Sequence, residues 1–197
     1  MNTSKKEFVA PVVVLSAICL VVSLALAFTY KVANPIIVRN TEAAAKAARQ
    51  QLLPAADNFS LVEDAELQGS EDGKASVAEI YSADNGTGYV MTVNTTSFGG
   101  ALTMMVGIDA DGALTGVTVT EHADTPGVGT KDMTPEYLGQ YSGLSALTSA
   151  GNIKKEAAQL ASGGTFEFVS GASVSGQAIH SGVAAALSQF AAMGGAQ

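Results

Sequence analysis

The sequence predicts an α+β fold: a twisted, largely antiparallel sheet with helices packed on it, preceded by one N-terminal transmembrane helix. Three observations predict it. An apolar run without a charged residue occupies positions 8–30. Segments rich in β-branched residues, with alternating polarity and short turns between them, fill the middle of the chain. A segment near the C-terminus repeats its apolar residues at helical spacing.

The apolar run is long enough to cross a bilayer as a helix. A cleaved signal peptide is the rival interpretation, because Ala25-Leu26-Ala27 resembles a cleavage site. The run is long for a signal peptide, which favours an uncleaved anchor. Lys5 and Lys6 precede it and favour a cytoplasmic N-terminus. We therefore expect a single-pass protein of the cytoplasmic membrane, with residues 1–7 inside and the domain outside.

A juxtamembrane helical linker is predicted at 31–56, before a domain at 57–197. Asn34-Pro35 is expected to break or bend the first helix. Residues 36–53 are rich in Ala, Glu, Lys, Arg and Gln and predict a second helix, ended by Pro54.

Period-two alternation predicts the sheet. The acidic stretch 58–73 is expected to hold one strand within loops, and Asp111-Gly112 is a hairpin signal. The other predicted strands are Val77–Tyr81, Tyr89–Thr95, Leu102–Ile108, Leu114–Thr120 and Thr165–Val169.

Three helices are predicted beyond the sheet. The first is Met133–Tyr141, with Thr134 as its cap and Pro135 at its first position. The second is Ile153–Leu160. The third runs from about Gly176 to Ala192, with Ser175 as its N-cap.

Composition excludes several classes of function. Beyond Lys31 the chain carries 7 basic and 17 acidic residues, which argues against nucleic-acid binding. Cys19 is the one cysteine, so neither an intrachain disulfide nor a four-cysteine iron–sulfur site is possible. With two histidines a His-rich metal site is not expected. No nucleophile has an evident base, so no catalytic residue is predicted.

The residues Ser170-Gly171-Ala172-Ser173-Val174-Ser175 form a small-residue turn between a predicted strand and a predicted helix. Free backbone N–H groups and the helix dipole make such a turn suited to a phosphate. Ser173 would present its hydroxyl to that phosphate. An ordinary capped loop is the alternative interpretation of this pattern alone.

The turn is part of the last of three sequence motifs that occur in the same order in one known family. Residues 167–173 resemble the flavinylation motif Asp-x-x-Ser-Gly-Ala-Thr/Ser of the FMN-binding domains in NqrC and in RnfG (RsxG), a component of Rnf electron-transport complexes. Residues 121–129 resemble that family's Glu-His-x-Glu-Thr-Pro-Gly-Leu-Gly, and 88–112 carry a third match. The resemblance covers about residues 43–192.

The resemblance implies a covalent flavin. Ser173 matches the residue that carries FMN through a phosphoester, and a flavin transferase attaches it. Glu167 stands where the family has the Asp of the transferase motif, and Ser173 where Thr is usual. Thr125, Pro126 and Gly127 would contact or frame the flavin, while Glu121 orders their loop. The remaining predicted cofactor-binding residues are Ser170, Gly171, Ala172 and Ser175.

The function implied is that of a membrane-anchored electron carrier without independent catalytic activity. It would pass electrons between iron–sulfur and other flavin subunits of a complex that couples ferredoxin and NAD to ion pumping. Two alternatives stay open: an NqrC-type subunit of the sodium-pumping quinone reductase, and a flavin-free tethered binding domain. His122 and the compact chain favour RnfG over NqrC.

Overall fold

The computed structural model describes residues 3–70, 72–147, 158–159, 165–166 and 168–195. Contacts divide the chain into two units, Met1–Ala45 and Lys46–Gln197. The dividing point falls inside the predicted 31–56 linker. The first unit is helical, and the second holds the sheet and the remaining helices.

The first helix, α1, is Thr3–Leu52 and contains Pro11 and Pro35. It is long and apolar enough to cross a membrane, and its large apolar side chains from Val9 to Val38 are exposed. Of the two alternatives at Asn34-Pro35, the break is wrong, because α1 runs through that proline, and so is the separate second helix; the bend stays a prediction. A proline removes one hydrogen bond from the helix, and strong helix formers follow it here.

Five antiparallel strands form one sheet in chain order. The hairpin predicted at Asp111-Gly112 is present: Gly112 has φ of 87°, and Asp109 Oδ1 accepts the Asp111 and Ala113 N–H groups at 3.0 and 2.8 Å. The strand in the acidic stretch is short. The strands are β1 Phe59–Leu61, β2 Ala75–Ala83, β3 Gly88–Thr96, β4 Ala101–Asp109 and β5 Leu114–His122.

The C-terminal helix is Ser173–Ala192 and is named α3, because the short helix α2, Pro135–Leu138, precedes it. It packs on β2, β3 and β4. Gly182 permits the close approach, since a Cβ there would collide with Met104 Cε. The fully buried apolar side chains between helix and sheet include Ile80, Met91, Val93, Met104, Ile108, Ile179 and Val183. This α+β architecture is the predicted one.

The last turns of α1 cover the other face of the sheet. Leu52 and Leu53 are buried, and Gly107 and Gly116 leave room for the Leu52 side chain. The Arg49 guanidinium lies 3.7 Å from the Tyr81 ring centroid. Strand β4 is consequently buried on both faces, which explains why its sequence is almost continuously apolar.

The predicted helix at 133–141 is split into short pieces. A 3-10 turn, Gly129–Met133, precedes α2, Pro135–Leu138, and a second 3-10 turn, Gly139–Tyr141, follows it. Thr134 caps α2 as predicted, because its Oγ1 accepts the Tyr137 N–H at 3.3 Å.

A small two-stranded sheet comes before α3. Strand β6, Ala158–Gln159, pairs with β7, Thr165–Phe166. The predicted helix at 153–160 is therefore wrong at 158–159, and its other residues lie outside the described ones. The predicted strand 165–169 is shorter than expected, because Val169 already belongs to the following turn.

Candidate functional site

The predicted turn and helix start are present, but α3 begins three residues earlier than expected. The Ala172 N–H donates to Val169 O at 2.9 Å, and Gly171 has φ of 87°, a value that favours glycine. The first helical bond runs from the Gly176 N–H to Ala172 O at 3.0 Å. The first-turn N–H groups, which have no partner within a helix, thus belong to residues 173–175.

Ser175 has a different role from the predicted one. The N-cap of α3 is Ala172, which makes no side-chain cap bond. Ser175 is 1% exposed, and its hydroxyl donates to Asp124 Oδ1 at 3.1 Å. The N-cap assignment is wrong because the earlier helix start carries this side chain into the protein.

Asp124 joins three segments of the chain. Besides Ser175, its Oδ1 accepts the Gly99 N–H at 2.9 Å, so it ties the β3–β4 turn and its own loop to α3. A Cβ at Gly99 would lie 2.5 Å from Ala123 O, and one at Gly129 would lie 2.6 Å from Asp124 Oδ1. Both glycines are therefore needed for this packing. Asp124 Oδ2 is buried and has no hydrogen-bond partner among the described residues.

These segments enclose a cavity of about 350 Å³, called here the Ser173 cavity. Ser173 is half-buried in its wall. The structure brings the Thr125 loop and the Ser173 turn together across it. The lining residues are Phe98, Asp124, Thr125, Val128, Gly129, Gly171, Ala172, Ser173, Val174 and Ser175.

Four of the predicted site residues lie outside that lining, and all four are exposed. Gly127 has φ of 75° and donates its N–H to Thr130 Oγ1 at 2.8 Å, so it shapes the loop. Glu121 pairs with Thr103 at the end of β5. The other two are Ser170 and Pro126. Glu167 lies outside the described residues.

A second buried carboxylate, Asp132, lies on another side of the same helix start. It is 0% exposed, and its Oδ1 accepts the Val169 N–H at 3.2 Å. Burial raises the pKa of Asp132 to about 6, against the opposing effect of hydrogen bonds from the Val169 and Gly176 amides. A Cβ at Gly176 would collide with Asp132 Oδ2 and Phe168. Glycine at this position therefore lets helix and carboxylate come together.

The chemistry of the Ser173 cavity suits a large, partly apolar anion. Among the described residues no Lys or Arg lines it, so the attraction that these residues provide for a phosphate comes from the N-terminus of α3. Ser173 contributes a hydroxyl-bearing side chain to the lining, and Phe98, Val128 and Val174 supply exposed apolar surface. Among the described residues no three His, Cys, Asp or Glu side chains cluster as a metal site.

Several residues of this site were not among those predicted from the sequence. Asp124 and Phe98 lie inside the second and third motifs, so their positions were a signal that was not used. Val128 also lies inside the second motif, and Val174 directly follows the last residue of the motif at 167–173. Asp132 carries no local signal, because its burial depends on segments far from it in sequence.

The FMN-binding domain family matches residues 97–188, which contain the Ser173 cavity. A Methanosarcina acetivorans protein, named as the G component of an ion-translocating oxidoreductase complex, is 29% identical over 181 residues, covering 90% of this chain and 91% of that protein. The G component of the Na(+)-translocating ferredoxin:NAD(+) oxidoreductase complex of Acetobacterium woodii is 30% identical over 179 residues. This match covers 86% of this chain and 85% of that protein. A G component from Stutzerimonas stutzeri is 28% identical, and the match covers 88% of this chain and 76% of that protein. The chain therefore belongs to the RnfG family of ion-translocating electron-transport complexes and contains that family's FMN-binding domain.

Proposed function

We propose that this protein carries FMN covalently on Ser173 and passes electrons between the other subunits of an Rnf-type membrane complex. The observation that carries the proposal is the Ser173 hydroxyl at the start of α3, in one cavity with the Thr125 loop. Bound FMN supplies the redox chemistry, and the protein supplies position and electrostatics. No independent catalytic activity is expected of the chain.

Electrostatics favour a covalent attachment. A phosphate at a helix N-terminus gains about 0.3–1 kcal/mol from the dipole, and about 2 kcal/mol when partly buried. The part of the chain that the structure describes places no Lys or Arg in the cavity lining as a clamp, and Asp124 lies in its wall. An ester bond removes the problem of dissociation and leaves the linking phosphate with a single negative charge.

The ester forms from Ser173 and an activated flavin nucleotide. The Oγ–H bond is replaced by an Oγ–P bond, the pyrophosphate bond from that phosphorus to the second phosphate breaks, the second nucleotide leaves as its monophosphate, and the proton passes to the transferase. The donor is of the flavin dinucleotide class, because the phosphate of free FMN has no such leaving group. Glu167 is the proposed recognition residue for the transferase.

Helix α1 anchors the protein in the cytoplasmic membrane in this proposal. Its exposed apolar side chains need a nonaqueous surrounding, and Lys5 and Lys6 favour a cytoplasmic N-terminus. The domain then lies on the extracytoplasmic side. Protease added to spheroplasts should digest it, whereas protection until the membrane is opened would reverse this topology.

The partners are the other subunits of the complex, by analogy with the relative named as part of a ferredoxin:NAD(+) oxidoreductase complex. An NqrC-type role is the second candidate, but the three relatives all carry the G designation. A flavin-free binding domain is the third. The Ser173 cavity and the match to the FMN-binding domain family favour the flavin carrier over it.

The test is the attachment itself. The full chain is co-expressed with a flavin transferase, and flavin fluorescence is read on a denaturing gel together with the intact mass. Ser173→Ala should abolish the fluorescence and the added mass of FMN, while Ser173→Thr should retain both, because Thr offers the same oxygen. Flavin that survives Ser173→Ala would place the attachment elsewhere, and a wild-type chain without flavin would favour the binding-domain alternative.

A further inference from the structure

Three of the residues that line the Ser173 cavity are exposed apolar side chains. Phe98, Val128 and Val174 are 83%, 52% and 39% exposed, and all three line the cavity; together they are called the apolar rim. Among the described residues from 46 onward, only Leu61 and Leu67 are other large apolar side chains exposed to this degree. Concentrated apolar exposure of this kind marks a binding surface.

The turn that carries Phe98 is fixed in place. The Ser97 N–H donates to Gly100 O at 2.8 Å, and the Ser97 hydroxyl donates to the same oxygen at 3.1 Å. The Gly99 N–H is bound by Asp124, which also holds Ser175 at the start of α3. A rigid main chain, linked to the turn that bears Ser173, therefore presents an aromatic ring to solvent.

We propose that Phe98 packs against the isoalloxazine ring of the FMN carried on Ser173 and shields that ring from water. The inference rests on the proposed function, since it presumes a flavin at Ser173. Phe98 is a positioning residue in this account: it takes no part in the ester and forms one wall for the ring.

The shape and polarity of the site favour the flavin ring as the occupant of the apolar rim. The ring is planar and aromatic, and aromatic groups pair in offset or edge-to-face arrangements. Because the ester fixes its phosphate at Ser173, the ring stays near the same cavity that Phe98 lines. A free-standing partner protein would have no such constraint.

Asp124 supports the same orientation of FMN. The Asp124 side chain lines the cavity, while its Oδ2 is buried and has no hydrogen-bond partner among the described residues. An acidic side chain in the wall is an unfavourable neighbour for a phosphate, because the two groups carry charge of the same sign. The neutral part of FMN therefore extends past Asp124 toward the turn that Asp124 holds.

The chain contains no Trp, so a single introduced indole provides a specific contact probe. An indole in contact with an excited flavin transfers an electron to it and quenches its emission. With the holoprotein, Phe98→Trp should lower flavin emission several-fold in the native state, with full recovery on denaturation. The covalent flavin content on a denaturing gel should stay at the wild-type level.

Leu67→Trp is the matched control. Leu67 is 50% exposed, and its neighbour Gln68 donates its N–H to Gln189 Oε1 at 2.6 Å, which places Leu67 near the end of α3. Gln189 lies roughly 24 Å along α3 from Ser173, at about 1.5 Å of rise per residue. Emission from this variant should match that of the wild type.

Phe98→Ala gives a second measurement. Removing the wall should raise the acrylamide quenching constant of the flavin several-fold, with Phe98→Leu between Ala and the wild type. The inference would be overturned if acrylamide quenching is unchanged in Phe98→Ala and flavin emission is not quenched in Phe98→Trp. In that case, flavin found on Ser173 would still support the proposed function. Loss of co-purifying subunits in Phe98→Ala, with flavin accessibility unchanged, would also overturn it and make the apolar rim a protein contact. Absence of flavin from the wild type would overturn the proposed function itself.

Discussion

The two ends of helix α3 differ in what surrounds them. At its start, small residues border the Ser173 cavity, and Ser173 itself is half-buried. Near its end, Phe190 is 8% exposed and packs edge-on against Tyr89, with ring centroids 5.9 Å apart. Gln189 there accepts from the Gln68 N–H at 2.6 Å and donates to Glu66 O at 3.1 Å.

The later turns of α3 therefore stabilise the fold, whereas its first turn forms part of the candidate binding site. The later turns bury their side chains against the sheet and satisfy their polar groups within the protein, so they fix the position of the helix. The first turn instead lines a cavity with Ser173, Val174 and Ser175. Functional sites held by a rigid packed element in this way keep their geometry.

Phe190→Ala should have the largest effect on folding. Truncating a buried Phe removes apolar contacts and leaves a cavity, at a cost of about 3–5 kcal/mol in the free energy of unfolding. Urea denaturation of the full chain in detergent, followed by tyrosine emission, measures it. Phe98→Ala is the control, and because Phe98 is 83% exposed its effect should stay within about 0.5 kcal/mol. Equal losses in the two variants would contradict the comparison.

Asp132→Asn should change the pH dependence of stability. The pKa of Asp132 is raised from 3.8 to about 6 in the folded protein. The contribution of protonated Asp132 to the free energy of unfolding is therefore complete below pH 4 and is lost as the pH rises through about 6. Ionising it costs up to about 3 kcal/mol above that pH. Urea denaturation should therefore show that the free energy of unfolding of Asp132→Asn rises relative to that of the wild type between pH 4 and 7.

The control for that experiment is Asp111→Asn, which changes an exposed carboxyl in the β4–β5 hairpin. Its stability relative to the wild type should not show this pH-dependent gain. If the free energy of unfolding of both variants rises relative to the wild type by the same amount between pH 4 and 7, Asp132 is not the group responsible for the pH dependence of stability.

Ser175→Ala should have a smaller effect. It removes the hydroxyl that donates to the buried Asp124 carboxylate, and hydrogen bonds to charged groups contribute about 1.5–3 kcal/mol. Covalent flavin should remain, because Ser173 is untouched. A double-mutant cycle with Asp124→Asn checks the cause, and additive effects in that cycle would exclude this hydrogen bond as the source.

Ser173→Ala should have the smallest effect on folding, within about 0.5 kcal/mol. Ser173 is half-buried and lines the cavity, and Ala suits the first turn of a helix. The measurement is the urea midpoint of the flavin-free chain compared with flavin-free wild type. A large loss would mean that Ser173 supports the fold and would weaken its interpretation as an open attachment point.

Local patterns in the sequence determined most of the fold. The alternation of polar and apolar residues located the four long strands, and Asp111-Gly112 located their last hairpin, because both depend on neighbours in sequence. The apolar spacing of residues 179–190 located α3, although its start was misplaced by three residues. The motifs indicated the family, which the relatives confirm.

The tertiary structure decided how the site is built. Ser175 and Asp124 are 51 positions apart, and Asp132 and Val169 are 37 apart, so neither hydrogen bond has a local signature. The sequence suggested a capping role for Ser175, which burial against Asp124 replaced. Whether a carboxylate is solvated or buried depends on which distant segments cover it, and that information resides in the packing of the sheet, the loops and α3 rather than in any short stretch of the chain.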